Sequence, residues 1–272
     1  MKIEHFWHIL KTEFEYKSPR THRLPGADLP GWPTIIYYLK LFRVILSDNL
    51  NVRMNIYDNI AWANGSLDVL KLVESVGGKL HVSGLKALVD YRGPLVYIAN
   101  HMSFLDTLVL PCLLLTFNKV TFVIKEGLLK YPFLGSIIRA TDPIAVTRKS
   151  PREDLKMVLS KGHALISQGY SVAMFPQATR SANFDTSTFN SLGVKLAKKS
   201  GVPVVPIALK TDFQGNGKIL KDMGAVDPQK SIYLKFGEPI AVEGGGQQKT
   251  HQKIVRFISD NLREWGVDVK GL

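Results

Sequence analysis

The chain has 272 residues, 45% of them hydrophobic, and a formal net charge of +12 at pH 7. This length allows one large domain or two small ones, with a core that needs no disulfides. Cys112 is the single cysteine, which excludes an internal disulfide and favours a reducing compartment. It lies in an apolar run and is predicted to be a core residue. No ligand spacing typical of a zinc site is present, so no metal is predicted.

The positive charge indicates an anionic partner: nucleic acid, an acidic membrane surface or a phosphorylated substrate. The basic residues are dispersed and no nucleic-acid recognition motif occurs, so we expect no nucleic acid to bind. The N-terminus lacks the pattern of a secretory signal. No apolar run of about 18 residues predicts a spanning helix. We therefore expect a peripheral or monotopic protein at the cytoplasmic face of a membrane.

Residues 1–78 are predicted to be an N-terminal helical segment. Within it, residues 34–47 are largely apolar and aromatic, and Lys40 and Arg43 share one helix face. This stretch suits a helix in the membrane interface with its cations toward lipid headgroups. The alternative is a helix buried in the core. Residues 49–76 continue as predicted helix and end at a pair of glycines.

From residue 79 onward, short apolar runs alternate with helical patterns. Strands are predicted at 80–82, 95–99, 120–124, 144–146, 172–175, 202–209 and 232–236. Helices are predicted at 104–115, 125–129, 133–139, 151–168, 191–200 and 250–265. This alternation favours an α/β fold with a largely parallel central sheet flanked by helices. We therefore assign residues 79–272 to one α/β domain.

The first candidate site follows the predicted strand at 95–99. His101 comes directly after that strand, and Asp106 lies five residues later. Histidine accepts protons near neutral pH, and a carboxylate can orient its ring. Ser103 and Asp106 also fit a capping box, in which Asp106 serves only the helix. The two roles are compatible, because a residue in the first helical turn can fold back onto His101.

Three cations follow other predicted strands in the same way: Lys125, Arg148 and Arg180. Parallel strands end at one edge of a sheet, where ligand sites collect. Arginine binds phosphate through a bidentate fork, and lysine binds it as a point charge. We therefore expect an anion site near His101. The alternative for each cation is a solvated surface charge.

The chain also resembles a known family in four ordered segments between residues 79 and 240. Asn100-His101-x4-Asp106 resembles block I of the glycerophospholipid acyltransferases, the lysophosphatidate acyltransferase family. Residues 125–135 with 144–148 resemble block II, the sequence Phe-Pro-Gln-Ala-Thr-Arg-Ser at 175–181 resembles block III, and 202–207 resembles block IV.

The resemblance implies transfer of an acyl chain from acyl-CoA or acyl-carrier protein to 1-acyl-sn-glycerol-3-phosphate, giving phosphatidate at a membrane. His101 would be the general base and Asp106 would orient it. Direct transfer would need no metal and no cofactor beyond the acyl donor. The resemblance assigns the acceptor and its phosphate to Arg180, Arg148, Lys125, Thr179 and Gln177. It assigns the lining of the acyl and donor site to Val202, Pro203 and Pro206.

Block III departs from the usual family sequence Phe-Pro-Glu-Gly-Thr-Arg at Gln177 and Ala178. Glutamine keeps hydrogen-bonding capacity without the charge, and alanine restricts a backbone position that glycine leaves free. Thr147 also stands where an acidic residue often precedes the block II arginine. The acceptor therefore stays open to glycerol-3-phosphate, another lysophospholipid or a lyso-aminolipid. A non-catalytic membrane lipid-binding protein is the alternative from a different class.

Overall fold

The computed structural model describes residues 1–19, 29–177, 179–217 and 222–271. The strands are β1 (Tyr16–Lys17), β2 (Leu80–Ser83), β3 (Val96–Ala99), β4 (Val120–Lys125), β5 (Ile144–Val146), β6 (Ser171–Met174), β7 (Phe184–Asp185), β8 (Val204–Lys210), β9 (Ile232–Phe236) and β10 (Val269–Lys270). The helices are α1 (Ile3–Thr12), α2 (Trp32–Arg53), α3 (Asn59–Ser75), α4 (Lys86–Asp90), α5 (Leu105–Leu114), α6 (Leu134–Ala140), α7 (Pro151–Ser167), α8 (Leu192–Ser200) and α9 (Gln247–Glu264). Glu126–Lys130 and Thr186–Thr188 are 3-10 turns.

The central sheet has eight strands in the order β1-β2-β9-β8-β3-β6-β4-β5. Strands β8, β3, β6, β4 and β5 are mutually parallel, whereas β9 is antiparallel to β8 and β1 is antiparallel to β2. The prediction of a largely parallel α/β sheet is therefore confirmed. The five parallel strands end at a single edge, which we call the carboxyl edge.

Helices cover both faces of this sheet. Buried side chains of α1, α3 and α5 form one core cluster with the strands, and those of α7, α8 and α9 form the other. The central strands β3 and β6 are buried along their whole length, as expected for parallel strands with both faces covered.

Residues 1–78 take part in this core. Tyr16 pairs with Val82 across β1 and β2, and the fully buried Phe6 and Tyr37 belong to the same cluster as Leu113 of α5. The predicted division of the chain at residue 78 therefore corresponds to no gap in the packing.

The helical structure predicted over residues 49–76 is confirmed except at 54–58, where α2 has ended and α3 has not begun. Asn55 has a φ of 56°, a left-handed conformation that asparagine tolerates better than most residues. Asp58 then caps α3 by accepting a hydrogen bond from the Ala61 N–H at 2.8 Å.

Helix α2 has two apolar faces, one buried in the core and one exposed to solvent. Tyr37 and Leu41 are buried in the core, whereas Ile35, Leu39 and Phe42 are 50%, 64% and 49% exposed. One face of the helix is core, as the alternative interpretation of residues 34–47 predicts, and the other face presents apolar side chains to solvent. Among the described residues, no helix is long and apolar enough to cross a membrane.

Candidate active site

The carboxyl edge brings His101 and Asp106 together. The Nδ1 atom of His101 lies 2.8 Å from Oδ2 of Asp106. The imidazole stacks on the ring of Phe175, with 4.2 Å between centroids and 18° between planes. The backbone N–H of His101 donates to Oε1 of Gln177 at 2.7 Å. The histidine is therefore held by contacts to its ring nitrogen, its ring face and its backbone.

The carboxylate of Asp106 is fully buried and has donors on both oxygens. Oδ2 also accepts the backbone N–H groups of Met102 at 2.7 Å and Ser103 at 3.1 Å. Oδ1 accepts the hydroxyl of Thr211, whose oxygen accepts the Ser103 hydroxyl at 2.9 Å. The capping role predicted for Asp106 is confirmed by the Ser103 N–H, and the same carboxylate holds His101.

Sequence reasoning missed Thr211, although it completes this network. It directly follows β8, which pairs with β3 in the sheet, so it reaches the carboxyl edge beside His101. The side-chain amide of Asn100 reinforces this pairing through two 2.8 Å hydrogen bonds to the backbone of Leu209. A hydroxyl residue just past the end of a central parallel strand is the signal that could have identified Thr211.

All three predicted cations lie at the carboxyl edge, but at different distances from His101 along the sheet. Arg180 follows β6, the immediate neighbour of β3, and the adjacent Ser181 N–H donates to the His101 carbonyl at 3.1 Å. Lys125 ends β4, and Arg148 follows β5 at the sheet margin. Both of these side chains are exposed.

The Arg180 guanidinium lies 5.9 Å from the centroid of the Phe104 ring and forms an ion pair with Asp222. Gln177 is buried beside His101, Thr179 is exposed, and Ala178 lies outside the described residues. Arg148 has a φ of 59°, and its backbone N–H donates to Oδ2 of Asp154 at 2.7 Å.

The block IV residues are not all at this edge. The Pro203 carbonyl accepts the Val96 N–H at 3.0 Å, which places Pro203 and the preceding Val202 beside the start of β3, at the opposite edge from His101. Pro206 lies within the sheet opposite Ile98. Val202 and Pro203 precede β8 and so lie at its amino end, whereas His101 follows the carboxyl end of the parallel strand β3. Their position does not support a role in lining a site at His101.

Cys112 is buried in the core, as predicted. Burial raises the pKa of its thiol to about 12, so the thiol is protonated at neutral pH. Across the part of the chain that the structure describes, no group of three or more histidine, cysteine or acidic residues could hold a metal ion.

Comparison with known proteins finds similarity to acyltransferases. Residues 79–210 match the family model described as Acyltransferase. The chain is 34% identical over 142 residues to a chloroplastic 1-acyl-sn-glycerol-3-phosphate acyltransferase of Arabidopsis thaliana, covering 52% of this chain and 38% of that one. It is 26% identical over 206 residues to the 1-acyl-sn-glycerol-3-phosphate acyltransferase of Pseudomonas aeruginosa, covering 75% of this chain and 76% of that one.

A more distant relative is the lyso-ornithine lipid O-acyltransferase of Pseudomonas aeruginosa, 23% identical with 56% of this chain and 62% of that one covered. The fold is similar to that of the 1-acyl-sn-glycerophosphate acyltransferase PlsC from Thermotoga maritima, with a TM-score of 0.59, 20% identity and coverage of 84% and 94% of the two chains. The chain is therefore similar to acyltransferases over residues 79–210, and it spans less than half of the length of the Arabidopsis relative.

Proposed function

We propose that this protein transfers an acyl chain from a thioester donor, acyl-CoA or acyl-carrier protein, to the free hydroxyl of 1-acyl-sn-glycerol-3-phosphate, producing phosphatidate. The observation that carries the proposal is the His101–Asp106 pair next to Arg180 at one edge of the sheet. The names of the more similar relatives support this acceptor.

In the proposed reaction His101 is the general base. When Nδ1–H donates to Asp106, the lone pair lies on Nε2, and among the described residues no hydrogen bond reaches that nitrogen. The acceptor hydroxyl gives its proton to Nε2 as its oxygen attacks the thioester carbonyl. The carbon–sulfur bond then breaks, and the imidazolium returns the proton to the leaving thiolate. Asp106 keeps the ring in place and stabilises the imidazolium.

The acceptor phosphate is assigned to Arg180, with Lys125 and Arg148 further along the same edge. Arg180 stands nearest to His101 because β6 is the neighbour of β3. Gln177 uses its carbonyl oxygen for the His101 N–H, which leaves its amide hydrogens as donors for the acceptor. Thr179 adds an exposed hydroxyl on the same loop.

The test is His101→Ala, assayed with lysophosphatidate and with both acyl-CoA and acyl-carrier protein. We expect kcat to fall by about a thousandfold, within the usual contribution of general-base catalysis. The control is His163→Ala, since His163 on α7 contacts Ser200 at 3.2 Å and not the site. Near-full activity of His101→Ala would refute the mechanism.

An acceptor panel separates the alternatives. Glycerol-3-phosphate, other lysophospholipids and lyso-ornithine lipid are compared with lysophosphatidate on the unmodified protein. Faster turnover of another acceptor would replace lysophosphatidate in the proposal. Absence of turnover across the whole panel would favour a non-catalytic lipid-binding protein.

We also propose that the protein docks on an anionic membrane through the exposed face of α2. The docking surface consists of Ile35, Leu39, Phe42, Tyr131 and Phe133, each at least 43% exposed. The rings of Phe42 and Phe133 meet edge-on at 5.9 Å, so α2 and the segment before α6 form one patch. Monomeric soluble proteins rarely expose such contiguous apolar groups without a binding role.

Leu39→Glu tests the docking surface in sedimentation with vesicles that contain anionic lipid. We expect membrane binding to weaken about tenfold or more, since a charge replaces an exposed aliphatic side chain that would enter the membrane interface. Met157→Glu on α7 is the control, because Met157 is 47% exposed and lies outside the surface. Unchanged binding of Leu39→Glu would refute the proposal.

Deleting residues 1–47 is a poorer test of the docking surface, because the deletion also removes the core residues Phe6 and Tyr37.

A further inference from the structure

The cation assigned to the acceptor phosphate already has an anionic partner. Nη2 of Arg180 pairs with Oδ1 of Asp222, and the two side chains are 17% and 22% exposed. The hydroxyl of Tyr131 is a second neighbour of the Asp222 carboxylate, and burial together with this carboxylate raises the pKa of Tyr131. Asp222 therefore already occupies the side of Arg180 with a negative charge.

Hydrogen bonds between side chains and the backbone of residues 222–226 fix the position of Asp222. Its carbonyl accepts a hydrogen bond from Nε2 of Gln214 at 3.1 Å, and the same nitrogen donates to the Tyr38 hydroxyl at 3.0 Å. That hydroxyl donates to the carbonyl of Gly224 at 2.6 Å. The Val226 N–H donates to the Thr34 hydroxyl at 3.1 Å. The segment that carries Asp222 is therefore attached to α2, and the carboxylate is presented to Arg180.

A carboxylate and a phosphate compete for the same guanidinium donors. A phosphate that bound Arg180 with Asp222 still in contact would place two anions side by side, which Coulomb repulsion disfavours. The phosphate can use Arg180 fully only if the Asp222 side chain leaves. An acceptor without a charged headgroup has no such requirement.

We propose that Asp222 is the resident counter-ion of Arg180, that the acceptor phosphate replaces it, and that this exchange sets the affinity of the site for phosphate-bearing acceptors. The inference rests on the proposed role of Arg180. Without a bound acceptor, Asp222 supplies the carboxylate that pairs with the largely buried guanidinium of Arg180. In the occupied site the phosphate takes over that function.

The experiment compares Asp222→Asn with the unmodified protein in two assays. Steady-state kinetics with lysophosphatidate gives KM and kcat, and the rise in Tm with inorganic phosphate reports binding without turnover. We expect KM to fall about three- to fivefold with kcat little changed, the upper range for a partly exposed ion pair. The phosphate concentration that gives half of the maximal rise in Tm should fall by a similar factor. Tyr131→Phe should shift both quantities in the same direction by a smaller factor.

The matched control is Asp212→Asn. Asp212 is 23% exposed and pairs with Lys210 at 2.7 Å and Lys230 at 3.2 Å, so it has the same chemistry and burial without contact to Arg180. Neither assay should change in this variant. With a neutral monoacylglycerol acceptor, Asp222→Asn should leave KM unaltered.

An unchanged or higher KM for lysophosphatidate in Asp222→Asn would overturn the inference. Lack of any turnover of lysophosphatidate by the unmodified protein would refute the proposed function instead. In that case the phosphate titration still decides the role of Asp222, since an unshifted phosphate dependence would overturn it independently of activity.

Discussion

The two halves of the candidate site differ in how completely they are organised. On the side of His101, the Asp106 carboxylate is fully buried and has donors on both oxygens. On the side of Arg180, the ion pair with Asp222 is partly exposed, and Lys125 and Arg148 lie at the surface. In the proposed mechanism, this contrast corresponds to a base that is oriented before substrate arrives and an anion site that exchanges partners when substrate binds.

The difference follows from where each half sits in the fold. His101 and Thr211 follow the neighbouring central strands β3 and β8, which the Asn100 side chain joins at 2.8 Å. Arg180 and Asp222 lie several residues beyond the nearest strands of the central sheet, where a side chain is less restrained than directly at a strand end. Substitutions in the first half should therefore reduce kcat, and substitutions in the second half should change KM.

After His101→Ala, the largest effect is expected for Asp106→Asn. The amide preserves size but loses the charge that stabilises the imidazolium, so kcat should fall by up to about a thousandfold with little change in KM. The measurement is steady-state kinetics with lysophosphatidate, with circular dichroism to verify folding. A loss below about tenfold would contradict the role of Asp106, on the same reasoning about catalytic orientation.

Arg180→Gln should come next. Removal of charge-assisted hydrogen bonds to phosphate should lower kcat/KM by about ten- to a hundredfold, mostly through KM. Arg148→Gln is the informative comparison, since Arg148 lies at the far margin of the same edge and should have a smaller effect. An equal or larger effect at Arg148 would contradict the assignment of the phosphate to Arg180.

Thr211→Val should lower kcat about tenfold, because Asp106 loses one donor and orients His101 less well, whereas Thr211→Ser should restore most of the activity. The control is Thr121→Val, which removes a different buried threonine hydroxyl, on β4, bonded to the Asp142 carbonyl at 2.9 Å. If both valine variants lost stability and activity equally, Thr211 would have only a structural role.

The smallest effect is expected for Cys112→Ala. Its thiol is buried and its pKa is raised to about 12, so it is no nucleophile at neutral pH. We expect kcat to stay within about twofold and the free energy of unfolding to fall by about 1 kcal/mol, as for many single substitutions. Loss of activity in a folded variant would point to an acyl-enzyme intermediate and contradict direct transfer.

Much of the α/β part was predictable from local patterns. Strands β5 and β9 have the predicted bounds, Ile144–Val146 and Ile232–Phe236, because short apolar runs end at turn residues. Helix α7 was signalled by Pro151 at its start and acidic residues in its first turn. The two-residue strand β1 and the short helix α4 were not predicted, because segments of this length carry too little periodicity.

The sequence alone determined the alternating strands and helices, the placement of His101 and the three cations after strand ends, and the spacing that lets Asp106 reach His101. These are properties of neighbouring residues and of strand direction. Only the tertiary structure decided that Thr211 completes the Asp106 network, that Asp222 pairs with Arg180, and that Val202 and Pro203 lie at the opposite edge. These outcomes depend on the order of strands in the sheet and on loops packing against α2, which no local pattern specifies.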